Sequence, residues 1–174
     1  MTRLPLFALC LATVCLWGSP SHAQENVANQ PPAHISVVDG TAILERDGRR
    51  DTELMSMPVL SGDRLRTQAG RVEVLFADGS ALHLDDNTVV DFQSDEVVRL
   101  LEGRVRLNVA GPARDLSYRI DAPSAWVQIS MPGEYRVAVL RDEEVELAVL
   151  RGSAELVNEQ GRSYISAGER TFAR

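Results

Sequence analysis

The chain has 174 residues, of which 25 are acidic and 18 basic, giving a net charge of −7. All of the basic residues are arginine. An acidic chain without lysine argues against a nucleic-acid partner, which needs a net basic face to neutralise phosphates, and excludes P-loop and Schiff-base chemistry, which need a lysine.

Residues 1–23 read as a secretory signal peptide: Arg3 precedes an apolar run from Leu4 to Trp17, with small residues at Ser21 and Ala23. The run is shorter than the ~20 residues of a membrane helix, so the chain is not expected to span a membrane after leader cleavage. Leu and Val precede Cys10 and Cys15 where a lipoprotein would carry a small residue. Both cysteines leave with the leader, so the remaining 151 residues hold no disulfide, thiol nucleophile or cysteine metal site. That length suffices for one domain held by its core. Residues 24–33, QENVANQPPA, are polar and end in Pro31-Pro32, which predicts a flexible lead-in to a β domain over 34–174.

From His34 the chain is strand after strand. Ile35, Val37, Ala42 and Leu44 flank Asp39-Gly40, and Asp47-Gly48 closes the next turn, while Asp51 to Pro58 reads as a loop or irregular strand. In the stretch 61–92, Leu65, Val72, Val74, Phe76, Leu82, Leu84, Val90 and Phe92 fall on alternate positions among polar residues, the signature of strands with one buried and one wet face. Ala69-Gly70, Ala77-Asp78-Gly79 and Asp85-Asp86-Asn87 are expected to reverse the chain between them. Alternation continues through Val105, Leu107 and Val109 to a stop at Gly111-Pro112, then through Leu116, Tyr118 and Ile120, and through Ala125, Val127 and Ile129. Tyr135, Val137 and Val139, then Val145, Leu147 and Val149, then Ala154 and Leu156 follow, and Phe172 comes after a turn at Ala167-Gly168-Glu169. No stretch offers a ten-residue amphipathic helix.

Three segments share one pattern: Val38-Asp39-Gly40-Thr41-Ala42, Leu101-Glu102-Gly103-Arg104-Val105 and Leu150-Arg151-Gly152-Ser153-Ala154. Recurrence of one turn-and-strand unit predicts an all-β single domain, a short β-solenoid-like or rolled β-sandwich arrangement.

The set Leu60-Ser61-Gly62-Asp63-Arg64-Leu65-Arg66-Thr67, Gly70 to Leu84 with its Asp78-Gly79-Ser80 turn, Val89 to Phe92, Leu101-Glu102-Gly103, Tyr118 to Pro123, Gly133 to Val137, Leu150-Arg151-Gly152 and Ala167-Gly168-Glu169 resembles the FecR domain family. In the family's name-giving members, the resemblance implies, this domain lies in the periplasm and relays a signal from an outer-membrane transporter to a cytoplasmic sigma factor. Those proteins carry a cytoplasmic anti-sigma bundle, a membrane helix and a transporter-contacting domain, whereas this chain opens with a signal peptide and ends as the domain ends. Pro132-Gly133-Glu134-Tyr135 stands where many members show Gly-Thr before an aromatic. The chain is more similar to secreted FecR-domain proteins. The resemblance therefore implies a contact-making β domain in a periplasmic or secreted location of a Gram-negative bacterium, and does not carry over transcription control.

No catalytic motif is present, and neither an enzyme, a cofactor nor a metal is expected. His83, on the wet phase between Leu82 and Leu84, could serve a hydrolase only with a distant serine and a carboxylate such as Asp85. Asp85, Asp86, Asn87 and Asp91 offer oxygen donors to calcium without the interleaved spacing of a dedicated loop, and read as an Asx-rich turn. Glu143, Glu144 and Glu146 read as a solvated strand edge. Trp126 falls with Gln128 and Ser130 on the face opposite Ala125, Val127 and Ile129, where an aromatic suits a protein or sugar contact unless neighbouring strands cover that face. Arg104, Arg106 and Arg119 could form an arginine face, or pair across strands with acids. These residues predict a non-enzymatic scaffold or binding domain of the cell envelope whose contacts are Trp126, Gln128, Arg104 and Arg106 and whose partner is an envelope protein or a polysaccharide. A glycan-binding module is the alternative, and a small hydrolase a distant one.

Overall fold

The computed structural model describes residues 31–110 and 117–174. The leader, most of the lead-in, the Gly111-Pro112 stop and Leu116 lie outside these residues. The protein is all-β: β1 (His34–Arg46), β2 (Arg49–Asp51), β3 (Arg64–Leu75), β4 (Ala81–Leu84), β5 (Val89–Phe92), β6 (Val97–Val109), β7 (Tyr118–Asp121), β8 (Trp126–Ile129), β9 (Gly133–Val139), β10 (Val145–Arg151), β11 (Ser153–Asn158), β12 (Gly161–Ser166) and β13 (Arg170–Ala173) join one hydrogen-bonded sheet. Among the described residues the one helical element is a single 3-10 turn at Arg141–Glu143, and no helix is long and apolar enough to cross a membrane.

The alternation read from the sequence is the burial pattern of the fold. Leu65, Val72, Val74, Leu82, Leu84, Val90, Val105, Leu107, Val127 and Ile129 are all buried, and both halves of the sheet contribute to one continuous core. The glycine punctuation works differently from the expectation. Of the three reversals predicted in residues 61–92, only Ala77-Asp78-Gly79 turns the chain back, between β3 and β4. Gly40 and Gly70 lie inside unbroken strands and face each other in register across β1 and β3. Likewise β4 and β5 both run antiparallel to β3 and to β6, so Asp85-Asp86-Asn87 interrupts one strand line without reversing it. The physical reason is that a positive φ serves a mid-strand bend as well as a hairpin turn. Gly40 and Gly70 adopt φ of 96° and 108°. A Cβ on Gly70 would lie 1.8 Å from the Asp39 carbonyl oxygen, so neither strand could carry a side chain where they cross.

These bends form two creases. Along the first, β1 and β3 fold at Gly40 and Gly70, the β4–β5 line at Asn87-Thr88 and β6 at Gly103. Along the second, β8 runs into β9 at Pro132-Gly133, β10 into β11 at Gly152, and β12 into β13 at Gly168, with β8–β9 pairing antiparallel to β10–β11 across the bend. The three similar segments seen in the sequence are therefore corners. Two of them carry a bulged leucine two residues before the glycine: Leu101 is skipped between Val89↔Glu102 and Val90↔Leu100, and Leu150 between Val149↔Tyr135 and Arg151↔Glu134. Corners of this kind let each strand pass from one layer to the other. One layer holds the C-terminal halves of β3 and β6 with β4, β9, β10 and β13; the other holds their N-terminal halves with β5, β7, β8, β11 and β12. Of the two arrangements expected, the rolled sheet is the one adopted, since among the described residues only β6 and β7 pair in parallel as the coils of a solenoid would.

Candidate functional site

Beneath the surface, the stretch that carries the resemblance is held by a buried acid. Asp63 is 1% exposed, and its carboxylate accepts from Arg46 Nε at 2.7 Å and Arg46 Nη2 at 2.5 Å, and from the Leu60 N–H at 2.8 Å. The hydrogen bond to Asp63 raises the Arg46 guanidinium above its ordinary pKa. A second Arg46 contact, Nη2 to the Pro58 carbonyl at 2.7 Å, ties the 52–63 loop to β1. This pair was not anticipated; the one hint is an acid between Gly62 and Arg64 at a strand entry.

The outer face of the second layer carries a transverse ladder. In register, Arg50, Glu45, Arg64, Asp91, Arg99, Asp121 and Trp126 stand opposite one another across β2, β1, β3, β5, β6, β7 and β8, so charge alternates from strand to strand until it meets the indole. Arg64 reaches Asp91 in a two-pronged pair at 2.6 and 2.8 Å, and that hydrogen bonding raises its pKa. Opposite charges at this spacing each contribute a few tenths of a kcal/mol, since most are partly exposed.

Trp126 sits as its phase predicts, with Ala125, Val127 and Ile129 buried behind it and its own side chain half-buried. The Arg119 guanidinium lies over the ring, 4.5 Å from its centroid, and is itself fixed by Nε to Asp121 Oδ1 at 2.5 Å. Gln128 is engaged as well, donating to the Ser117 hydroxyl and to the Tyr118 carbonyl. Beside the indole lies an open groove of about 890 Å³, where β7 and β9 diverge from the outer edge of β6. Its apolar lining includes Leu101, Ala122, Pro123 and Val157, and Arg99 and Arg174 also line it. The bulge at Leu101 is what turns an aliphatic side chain outward there.

Arg104 and Arg106 do not join Trp126. They lie beyond the first crease, on the outer face of the other layer, where Arg104 Nη1 stands 3.4 Å from Asp85 Oδ2 and Arg106 Nη1 3.4 Å from Glu134 Oε1. The four expected contact residues therefore form two separate faces, because Gly103 bends β6 between Arg99 and Arg104. The calcium grouping is not assembled: Asp85 faces Arg71 and Arg104, and Asp91 faces Arg64. Among the described residues no three His, Asp or Glu gather as metal ligands. Around His83 the order is wrong for nucleophile activation. Ser36 Oγ donates to Glu73 Oε1 at 2.6 Å and His83 Nδ1 lies 3.5 Å from Glu73 Oε2, so the carboxylate stands between hydroxyl and imidazole, and Nε2 faces the Asn108 amide at 3.1 Å. Glu144 and Glu146, expected as a solvated edge, instead pair with Arg174 at 2.7 Å and Arg170 at 3.6 Å.

A search of curated proteins returns no match. Two crystal structures of "a putative anti-sigma factor" from Parabacteroides distasonis ATCC 8503 share the fold, at TM-scores of 0.54 and 0.52 and identities of 22% and 21%. Each likeness covers 63% of this chain and 53% of the other, so the chain matches about half the length of those proteins. The family model described as FecR protein matches residues 63–155. That span runs from the buried Asp63 through both creases into β11 and takes in more than half of the chain, so the protein belongs to the FecR family.

Proposed function

We propose that this protein is an exported, non-enzymatic binding domain of the cell envelope, periplasmic or secreted, that contacts another envelope protein in signalling. The observation that carries the reading is the FecR match over residues 63–155 on a rolled sheet whose distinguishing groups all lie on its outer faces. The shared fold of the anti-sigma structures supports an envelope-signalling role, and the leader sequence supports export. The order Ser36–Glu73–His83 supports the absence of hydrolase chemistry.

A glycan-binding reading draws on Trp126 beside its groove. The covering of that ring by Arg119 weighs against it, since sugars stack on an open aromatic face and here a guanidinium occupies one. Separate binding assays with envelope polysaccharide and with detergent-solubilised envelope proteins, each against Trp126→Ala, decide between them. Retention of a discrete protein supports the contact-making role; retention of polysaccharide alone, lost in Trp126→Ala, replaces it with the glycan reading.

A further inference from the structure

The outer face of the first layer places three arginines in one row. Arg106 on β6 stands directly opposite Arg136 on β9; Arg136 is followed by Ala148 on β10, and Ala148 by Arg170 on β13. Like charges directly opposed on neighbouring strands are destabilising, and in a chain of net charge −7 composition does not force them together. The acids nearby neutralise the row only in part. Glu134 is shared between Arg106 at 3.4 Å and Arg151 at 3.5 Å, Glu146 reaches Arg170 at 3.6 Å, and Arg136 has no ion pair among the described residues. These contacts are long beside the 2.5–2.6 Å pairs at Arg46, Arg64 and Arg119.

Between Arg136 and Arg170 the row holds only the small side chain of Ala148, which is 7% exposed. Beside the row, two residues along β13 from Arg170, Phe172 is half exposed on the same face, directly opposite Glu146 on β10. We propose that Arg106, Arg136 and Arg170, with Phe172, dock an acidic, extended segment of a partner protein. The guanidinium forks take its carboxylates two-pronged, and the phenyl ring takes an apolar side chain. Charge complementarity singles out this occupant: the acidic remainder of the surface repels such a segment, and the row attracts it. An aromatic beside the row suits a polypeptide better than a bare phosphate or a polysaccharide. The inference rests on the contact-making function proposed above and names the partner's chemistry.

The test is a fluorescence-anisotropy titration of the purified protein with a short dye-labelled peptide carrying alternate glutamates and one phenylalanine, at low and at physiological salt. Its Glu→Gln counterpart, inorganic phosphate and phosphatidylglycerol vesicles run in parallel. The expected result is binding by the acidic peptide only, weakened about tenfold in Arg136→Ala, not restored by Arg136→Lys and unchanged in Arg162→Ala on the opposite layer. Thermal melting of Arg136→Ala is expected to be equal to or above that of the parent, because a repulsive pair is relieved. Equal binding of the glutamine peptide, of phosphate or of vesicles, or an Arg136→Ala variant that binds normally or melts lower, overturns the proposal. Such a failure leaves the envelope contact standing if an extract protein is still held through Trp126.

Discussion

At the scale of single residues, the fold depends on a few polar groups whose partners are all internal. Asp63 is the sharpest case. Removing the carboxylate in Asp63→Ala takes that partner from the Leu60 N–H and from the partly exposed Arg46 guanidinium, and losing these charge-assisted bonds costs about 2 kcal/mol; urea denaturation of the variant measures it. Tyr135, fully buried, donates its hydroxyl toward the Met131 carbonyl at 2.9 Å and the Ser153 carbonyl at 3.2 Å, closing the second crease from inside. Tyr135→Phe is expected to lower stability by about 1–2 kcal/mol in the same assay. Burial raises the phenol pKa of Tyr118 and of Tyr135. The folded state thus favours the neutral phenol, and that stabilisation is complete below the unfolded value of about 10 and is lost as pH rises through the folded ones. Urea midpoints measured at pH 9 and pH 11 should fall for the parent and fall less for Tyr118→Phe.

At the scale of elements, the creases decide the shape. Gly70→Ala drives a methyl group into the Asp39 carbonyl, and with the φ strain the expected loss exceeds about 3 kcal/mol, seen as a collapsed melting transition or insoluble protein. At Gly48, in the β1–β2 hairpin turn, nothing lies within 4 Å of an added Cβ and φ is 76°. Asparagine tolerates that conformation, so Gly48→Asn should cost under about 1 kcal/mol and melt near the parent. The strand phases were legible in the sequence because period-2 burial is a local pattern: Val72 and Val74 alternate with Glu73, and Leu82 and Leu84 with His83, by polarity alone. The difference between a corner and a reversal was not, because Gly70 and Gly79 both hold positive φ and only the partner across the strand tells them apart. For the same reason the recurring Leu-charged-Gly segment was visible as a repeat but not as a bulged bend.

At the scale of the whole molecule, one bent sheet yields two outer faces with different chemistry. The crease at Gly103 separates Arg99, on the groove with Trp126, from Arg104 and from Arg106 of the arginine row, although Arg99 and Arg104 are only five positions apart on one strand. Sequence phase placed Trp126, Arg104 and Arg106 on wet faces, and all three are there. It could not assign them to separate layers, nor find Arg136 and Arg170, whose alignment with Arg106 exists only through the register of β6, β9, β10 and β13. Nor could it show Arg119 on the indole, a contact set by the pairing of β7 with β8.

The contact-making role is tested most directly by photo-crosslinking in cells, with a photoreactive residue in place of Trp126, of Arg106, or of Gln160 in the exposed β11–β12 turn as the control. Discrete protein adducts in the envelope fraction from the Trp126 or Arg106 position, and none from Gln160, are the predicted outcome. Equal adducts from all three positions, or no protein adduct while polysaccharide copurifies with the chain, would contradict it.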